Sequence, residues 1–126
     1  MKTEKIYTQH DENKEWMNNL LFYRDEIKIM KGRVAEIASK NTSKDRLAQV
    51  EHFQNQLLIQ RGQIDTLKHA INLDNDSIDK EIKKNAIALE HRSIKDHDTT
   101  RENMVAFEKN FSSLKLELNT FLNKRL

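Results

Sequence analysis

The chain has 126 residues, with 22 basic and 20 acidic side chains, five histidines, no cysteine and no proline. Charged residues make up 33% and hydrophobic residues 37%, against about 25% and about 45–50% in an average globular chain. The missing cysteines exclude disulfides and thiolate metal sites, the formal charge of +2 argues against a dedicated polyanion binder, and two glycines without a proline are too few turn residues for an all-β fold.

The first predicted helix spans about 9–39. Thr8 and Asp11 stand in the i, i+3 relation of a capping box, and Asp11, Glu12 and Glu15 place negative charge on the first turns. Its apolar residues, Trp16, Leu20, Tyr23, Ile27, Met30, Val34 and Ile37, follow an unbroken 4-3-4-3 spacing. A helix turns through 100° per residue, so that spacing gathers one side chain per turn into a stripe. Asn41 can end the helix in a left-handed conformation, and Thr42 or Ser43 can cap the next one. A connection this short makes the neighbours antiparallel.

The second helix is predicted from 43 to 73, with an extension to about 84 as the other reading. Val50, Phe53, Leu57, Gln60, Ile64, Leu67 and Ile71 form its stripe, and Gln60 is the lone polar member. A polar residue in such a seam can fix register at some cost in stability. Leu73-Asp74-Asn75-Asp76-Ser77 reads as a stop followed by a new cap, although Ile78 and Ile82 nearly continue the apolar face. The stretch 76–98 is therefore expected to be a connector or a short helix. The third strong helix is predicted over 99–124. It opens on the capping box Thr99-Thr100-Arg101-Glu102, and Met104, Phe107, Phe111, Leu114, Leu118 and Phe121 form its stripe.

Such stripes are hidden from water by packing on each other. The expected fold is all-α, a single-domain antiparallel three-helix bundle with coiled-coil-like packing, and the alternative is an up-down four-helix bundle. The polar amino terminus lacks the apolar core of a signal peptide, and the longest apolar run, Leu20 to Tyr23, is far short of a membrane span. A cytoplasmic location without membrane contact is the expectation.

Catalytic patterns are missing. No glutamate lies three residues before any histidine, so the Glu-x-x-His di-iron signature is absent, as are His-Glu-x-x-His and glycine-rich phosphate loops. No metal, cofactor or enzymatic activity is expected, and the histidines read as residues of solvated faces. Lys28, Lys31 and Arg33, and Lys80, Lys83 and Lys84, form two basic groups interleaved with acidic residues, a pattern of solvated helix faces more than of nucleic-acid binding.

Two candidate sites stand out. Phe22 and Ile29, seven apart on the first helix, and Ile59 on the second lie about 130° off their stripes, and Leu116 also points away from its own. Phe22, Ile29 and Ile59 are either extra core or a patch that docks a protein partner or a second copy in a homodimer. The polar cluster Glu90 to Arg101 is the other. There His91, Arg92, His97 and Arg101 could hold a small anion or supply an acid–base group, or the cluster residues could simply cap helix ends and pair with each other across a connector.

The stretches His10-Asp11-Glu12-Asn13-Lys14-Glu15-Trp16, Gln49-Val50-Glu51-His52-Phe53-Gln54-Asn55-Gln56 and Phe107-Glu108-Lys109-Asn110-Phe111 resemble those of a group of short, uncharacterised, all-helical bacterial proteins. The resemblance spans nearly the whole chain. It implies a bacterial cytoplasmic helical protein and transfers no activity and no functional residue. The expected function is a non-enzymatic protein-interaction or scaffolding module, with anion binding or catalysis at the Glu90–Arg101 cluster as the alternative.

Overall fold

Three stripes of matched length fold into three helices of matched length. The computed structural model describes the backbone of residues 2–40, 43–83 and 87–124, and the side chains of 7–40, 43–80 and 96–124. It consists of α1 (Lys2–Lys40), α2 (Lys44–Lys83) and α3 (Ile87–Asn123), with no strand among the described residues. Every stripe residue is buried except Tyr23 and Ile37, which are half-buried against the same core.

Cross-helix contacts give the direction of each helix. Asn13 meets Asp74, whereas Phe53 and Arg46 near the start of α2 meet Phe121 and Lys124 at the end of α3. Both pairings are antiparallel. Between α1 and α3 the partners advance together: Glu12 with Arg101, Tyr23 with Glu108, Glu26 with Lys115. The chain therefore runs up, down and up. The backbones of α1 and α3 approach each other less than either approaches α2, and long side chains close the gap.

Ser43 starts α2 as expected of a cap. Its Oγ accepts from the Arg46 amide at 3.4 Å, and its carbonyl accepts the first helical bond, from Leu47, at 3.0 Å. The Asn41 and Thr42 expectations lie outside the described residues. At the same end of the bundle the Arg46 guanidinium lies 4.8 Å over the Phe121 ring and donates to the Lys124 carbonyl.

The structure corrects the expected starts of the first and third helices and the stop near residue 73, and agrees with the longer reading of the second helix, to about 84. α1 already begins at Lys2, α2 passes through Asp74 and Asn75 to Lys83, and α3 begins at Ile87. Among the described residues there is no long connector over 76–98 and no fourth helix. Thr99 and Glu102 lie inside α3, so their capping-box pattern does not mark a start. The reason is in the seam itself. The 3-4 spacing runs on through polar residues: Gln9, Asn13 and Trp16 on α1; Ile71, Asp74 and Ile78 on α2; His97, Thr100 and Met104 on α3, all buried. Local stop and start signals are weak preferences, and tertiary packing overrides them when the polar side chains find partners across the bundle.

Candidate functional site

At the end of the bundle where α1 begins, one core layer is polar. His97 is 1% exposed and lies between two carboxylates. Its Nδ1 is 2.8 Å from Asp74 Oδ2 and its Nε2 is 2.6 Å from Glu12 Oε1. A carboxylate only accepts, so both contacts are hydrogen bonds when the ring carries both protons. The imidazolium stacks on Trp16, with ring centroids 4.8 Å apart at 26°. Asn13 Nδ2 donates to Asp74 Oδ2 at 2.7 Å and to Asn75 Oδ1 at 3.0 Å. The network continues outward. Arg101 donates Nη2 and Nε to the two oxygens of Glu12, at 2.6 and 3.1 Å, and Nη1 to Asp98 at 2.6 Å. Charges thus alternate along Asp74, His97, Glu12, Arg101 and Asp98, and the chain of contacts ties all three helices.

Burial opposes the charge on His97, but the hydrogen bonds it donates to Asp74 and Glu12 outweigh it, and its pKa is raised above 6.5. The Arg101 hydrogen bonds hold Glu12 below 4.5 against its own partial burial, with His97 assisting. Stability linked to His97 is therefore complete below about pH 6.5 and is lost as pH rises through the raised value. Stability linked to Glu12 is present above about pH 4.5 and is lost as pH falls through the lowered value. Thermal melts should show a maximum between these limits and a falling melting temperature on the alkaline side. His97→Gln should flatten the alkaline fall. An unchanged alkaline slope in that variant would remove His97 as its source.

Two sequence expectations meet this geometry. His97 is a core residue, correcting its reading as a solvated-face histidine, whereas His10, His52 and His69 are exposed. His97 and Arg101, expected to receive an anion, already face carboxylates, and an incoming anion would have to displace them. Of the expected pairing within the cluster only Asp98–Arg101 is present among the described residues, inside a helix and not across a connector; the other partners, Asp74 and Glu12, come from α2 and α1. The side chains of Glu90, His91 and Arg92 lie outside the described residues. Among the described residues no group of three or more histidine or carboxylate side chains is arranged to hold a metal ion. Gln60 lies in the core as expected, with its Oε1 unpaired.

The outer faces of the bundle differ from one another. Between α1 and α3, side chains bridge the gap. Tyr23 donates its hydroxyl to Glu108 at 2.6 Å, and Lys115 lies 2.7 Å from Glu26. Burial and the Glu108 hydrogen bond push the Tyr23 pKa up to about 12. Between α2 and α3 a shallow cleft of about 260 Å³ has uncharged polar walls, Gln63, Thr66, Asn103 and Asn110. Between α1 and α2 a groove of about 800 Å³ has a floor of Ile27 and Leu57, apolar walls at Leu21 and Leu58, and a rim of Arg24, Lys28, Lys31 and Arg61. Leu58 is 69% exposed and Leu21 42%.

No family model, no curated protein and no solved structure matches this chain. The functional reading accordingly rests on the side chains themselves.

Phe22, Ile29 and Ile59 are exposed, at 61%, 59% and 50%. They are surface residues and not extra core, yet none of them lines the α1/α2 groove. The Phe22 ring meets only the edge of Tyr23 among the described rings, at 6.2 Å. Sequence reasoning missed Leu21 and Leu58, although a signal was present. Leu21, Arg24, Lys28 and Lys31 keep their own 3-4-3 spacing beside the core stripe, and Gln54, Leu58 and Arg61 do the same on α2. Of the predicted basic groups, Lys28 and Lys31 belong to the groove, Arg33 and Lys80 are exposed, and the side chains of Lys83 and Lys84 are outside the described residues.

Proposed function

We propose that this protein is a non-enzymatic interaction or scaffolding module whose α1/α2 face receives a protein partner. The observation that carries the reading is the contrast among the faces. One is bridged by its own side chains and one is a shallow, uncharged cleft, whereas the third leaves two leucines exposed inside a rimmed groove. Apolar side chains held in a groove and framed by charge resemble the core and rim of an interface before its partner arrives. The titratable groups of the polar layer are occupied by one another, which favours a structural role for them over catalysis. No helix among the described residues is long and apolar enough to cross a membrane, and a cytoplasmic setting is part of the proposal.

A second reading is self-association through Phe22 and Ile29, which lie seven residues apart on α1 and are both exposed. Sedimentation velocity on wild type, Leu58→Asp and Phe22→Asp, combined with affinity enrichment and reconstitution of purified candidates, separates the two. Both substituted positions are on the surface, so the variants should melt close to wild type. The module reading expects a reconstituted partner that is lost with Leu58→Asp and retained with Phe22→Asp. A dimer lost only with Phe22→Asp would support self-association instead. A monomer that reconstitutes with no partner would contradict both.

A further inference from the structure

We propose that the α1/α2 groove is built to hold an amphipathic helix with acidic edges, supplied by another protein, as the fourth helix of the bundle. The inference deepens the interaction reading above and rests on it. The walls supply Arg24, Lys28, Lys31 and Arg61 against one acidic residue, Asp25, a local charge of +3 where the whole chain carries +2. The excess sits on both sides of an apolar strip, since the first three come from α1 and Arg61 from α2. A ligand that matches it needs an apolar stripe in the middle and negative charge along both borders. A helix of Leu and Glu type has that pattern.

The dimensions agree. Leu21 to Lys31 is ten residues along α1, about 15 Å at 1.5 Å per residue, so the groove takes about three turns of helix. Two parallel or antiparallel helices with a groove between them form the seat into which a further helix packs in four-helix bundles. The rim is only partly satisfied internally. Arg61 reaches Asp65 at a loose 3.8 Å, and its Nε is buried without an acceptor. The Arg61 side chain as a whole is 40% exposed, which leaves it open to a carboxylate from an incoming helix.

Charge also selects against the other occupants. A second copy docked through the same face would set +3 against +3, a like-charge juxtaposition that disfavours the pairing. A nucleic acid would meet the basic rim but has no use for Leu58 at the centre, and its contacts would be with phosphates alone.

The test uses the full-length protein and two labelled synthetic helical peptides sharing one leucine face, one edged with glutamate and the other with lysine. Fluorescence anisotropy should show the glutamate peptide binding at least about tenfold tighter than the lysine peptide, with the difference shrinking as salt is raised. Charge reversal by Arg24→Glu, Lys28→Glu and Lys31→Glu together should invert the preference. Leu58→Asp should weaken the glutamate peptide at least about tenfold, and thermal melts on both variants establish that they are folded.

Equal binding of the two peptides, still sensitive to Leu58→Asp, would overturn the acidic chemistry and leave the interaction module standing. A duplex oligonucleotide that competes fully, with Leu58→Asp having no effect, would make the groove a polyanion site and overturn the proposal. So would a wild-type dimer dissolved by Leu58→Asp, which identifies a second copy as the occupant. If neither peptide binds, the proposal is overturned and the groove leaves the interaction reading.

Discussion

Replacing His97 by leucine should cost about 3–5 kcal/mol, because it leaves the Asp74 carboxylate buried without its cationic partner. For a chain of this length that lowers the melting temperature by roughly 10–20 °C. Glu12 loses less, since Arg101 still holds both of its oxygens. The informative comparison is the triple variant Asn13→Leu, Asp74→Leu, His97→Leu. It removes the buried charges and the amide together and extends the apolar seam, and should be as stable as wild type or more so by about 1–4 kcal/mol. Chemical denaturation of the single and triple variants checks both. A single variant no worse than the triple would mean that the layer carries no buried-charge penalty.

That non-additivity also explains what the layer contributes. An apolar seam alone tolerates a slip of one heptad, because one leucine packs much like another. Asp74 does not tolerate it. A heptad slip of α2 would set its carboxylate against the Trp16–Leu20 region or beyond α1's polar turns, away from Asn13 and His97. The polar layer therefore fixes the mutual register of three long helices, and the triple variant should gain stability while losing uniqueness of register.

Phe111→Ala should be the costliest truncation in the apolar body of the bundle, at about 3–5 kcal/mol, and Leu116→Ala on the same helix should change stability by under about 0.5 kcal/mol. Phe111 is fully buried and contacts two rings, Tyr23 at 4.8 Å and Phe107 at 5.8 Å between centroids. Its removal opens a cavity between α1 and α3, where the backbones are too far apart to close it cheaply. Leu116, five residues on, is 71% exposed. Comparable losses at the two positions in a denaturant titration would contradict the assignment of the seam.

The apolar part of the fold was legible because its rule is local. One residue per turn, from Trp16 to Ile37 and from Val50 to Ile71, reports a helix and the face it buries. The turns around Asp74 and Thr99 were illegible to the same rule, since polarity was taken as its end. The spacing itself never lapsed: Asp74 lies three residues after Ile71, and Thr100 four before Met104. What makes a buried aspartate tolerable is a histidine 23 residues later and an asparagine 61 residues earlier, and pairings of that range are fixed by the fold. Gln60 was recognised only because apolar neighbours surrounded it. The docking face illustrates the same limit. Leu21 and Leu58 become two walls of one groove only once the antiparallel register of α1 and α2 sets them near each other, whereas Phe22 and Ile29 advertise themselves on a single helix and turn out to lie elsewhere.

The direct test of a continuous seam is the protonation state of His97, read from the ¹⁵N and ¹H shifts of its imidazole in the intact protein. A ring held between Asp74 and Glu12 and stacked on Trp16 should keep both protons above pH 6.5, with slowly exchanging N–H signals and couplings to both carboxylates. If His97 is already neutral just above pH 6.5 and its ring protons exchange as fast as those of a solvent-exposed imidazole, the helices do not meet through a polar layer there, and the seam ends at Trp16, Ile71 and Met104.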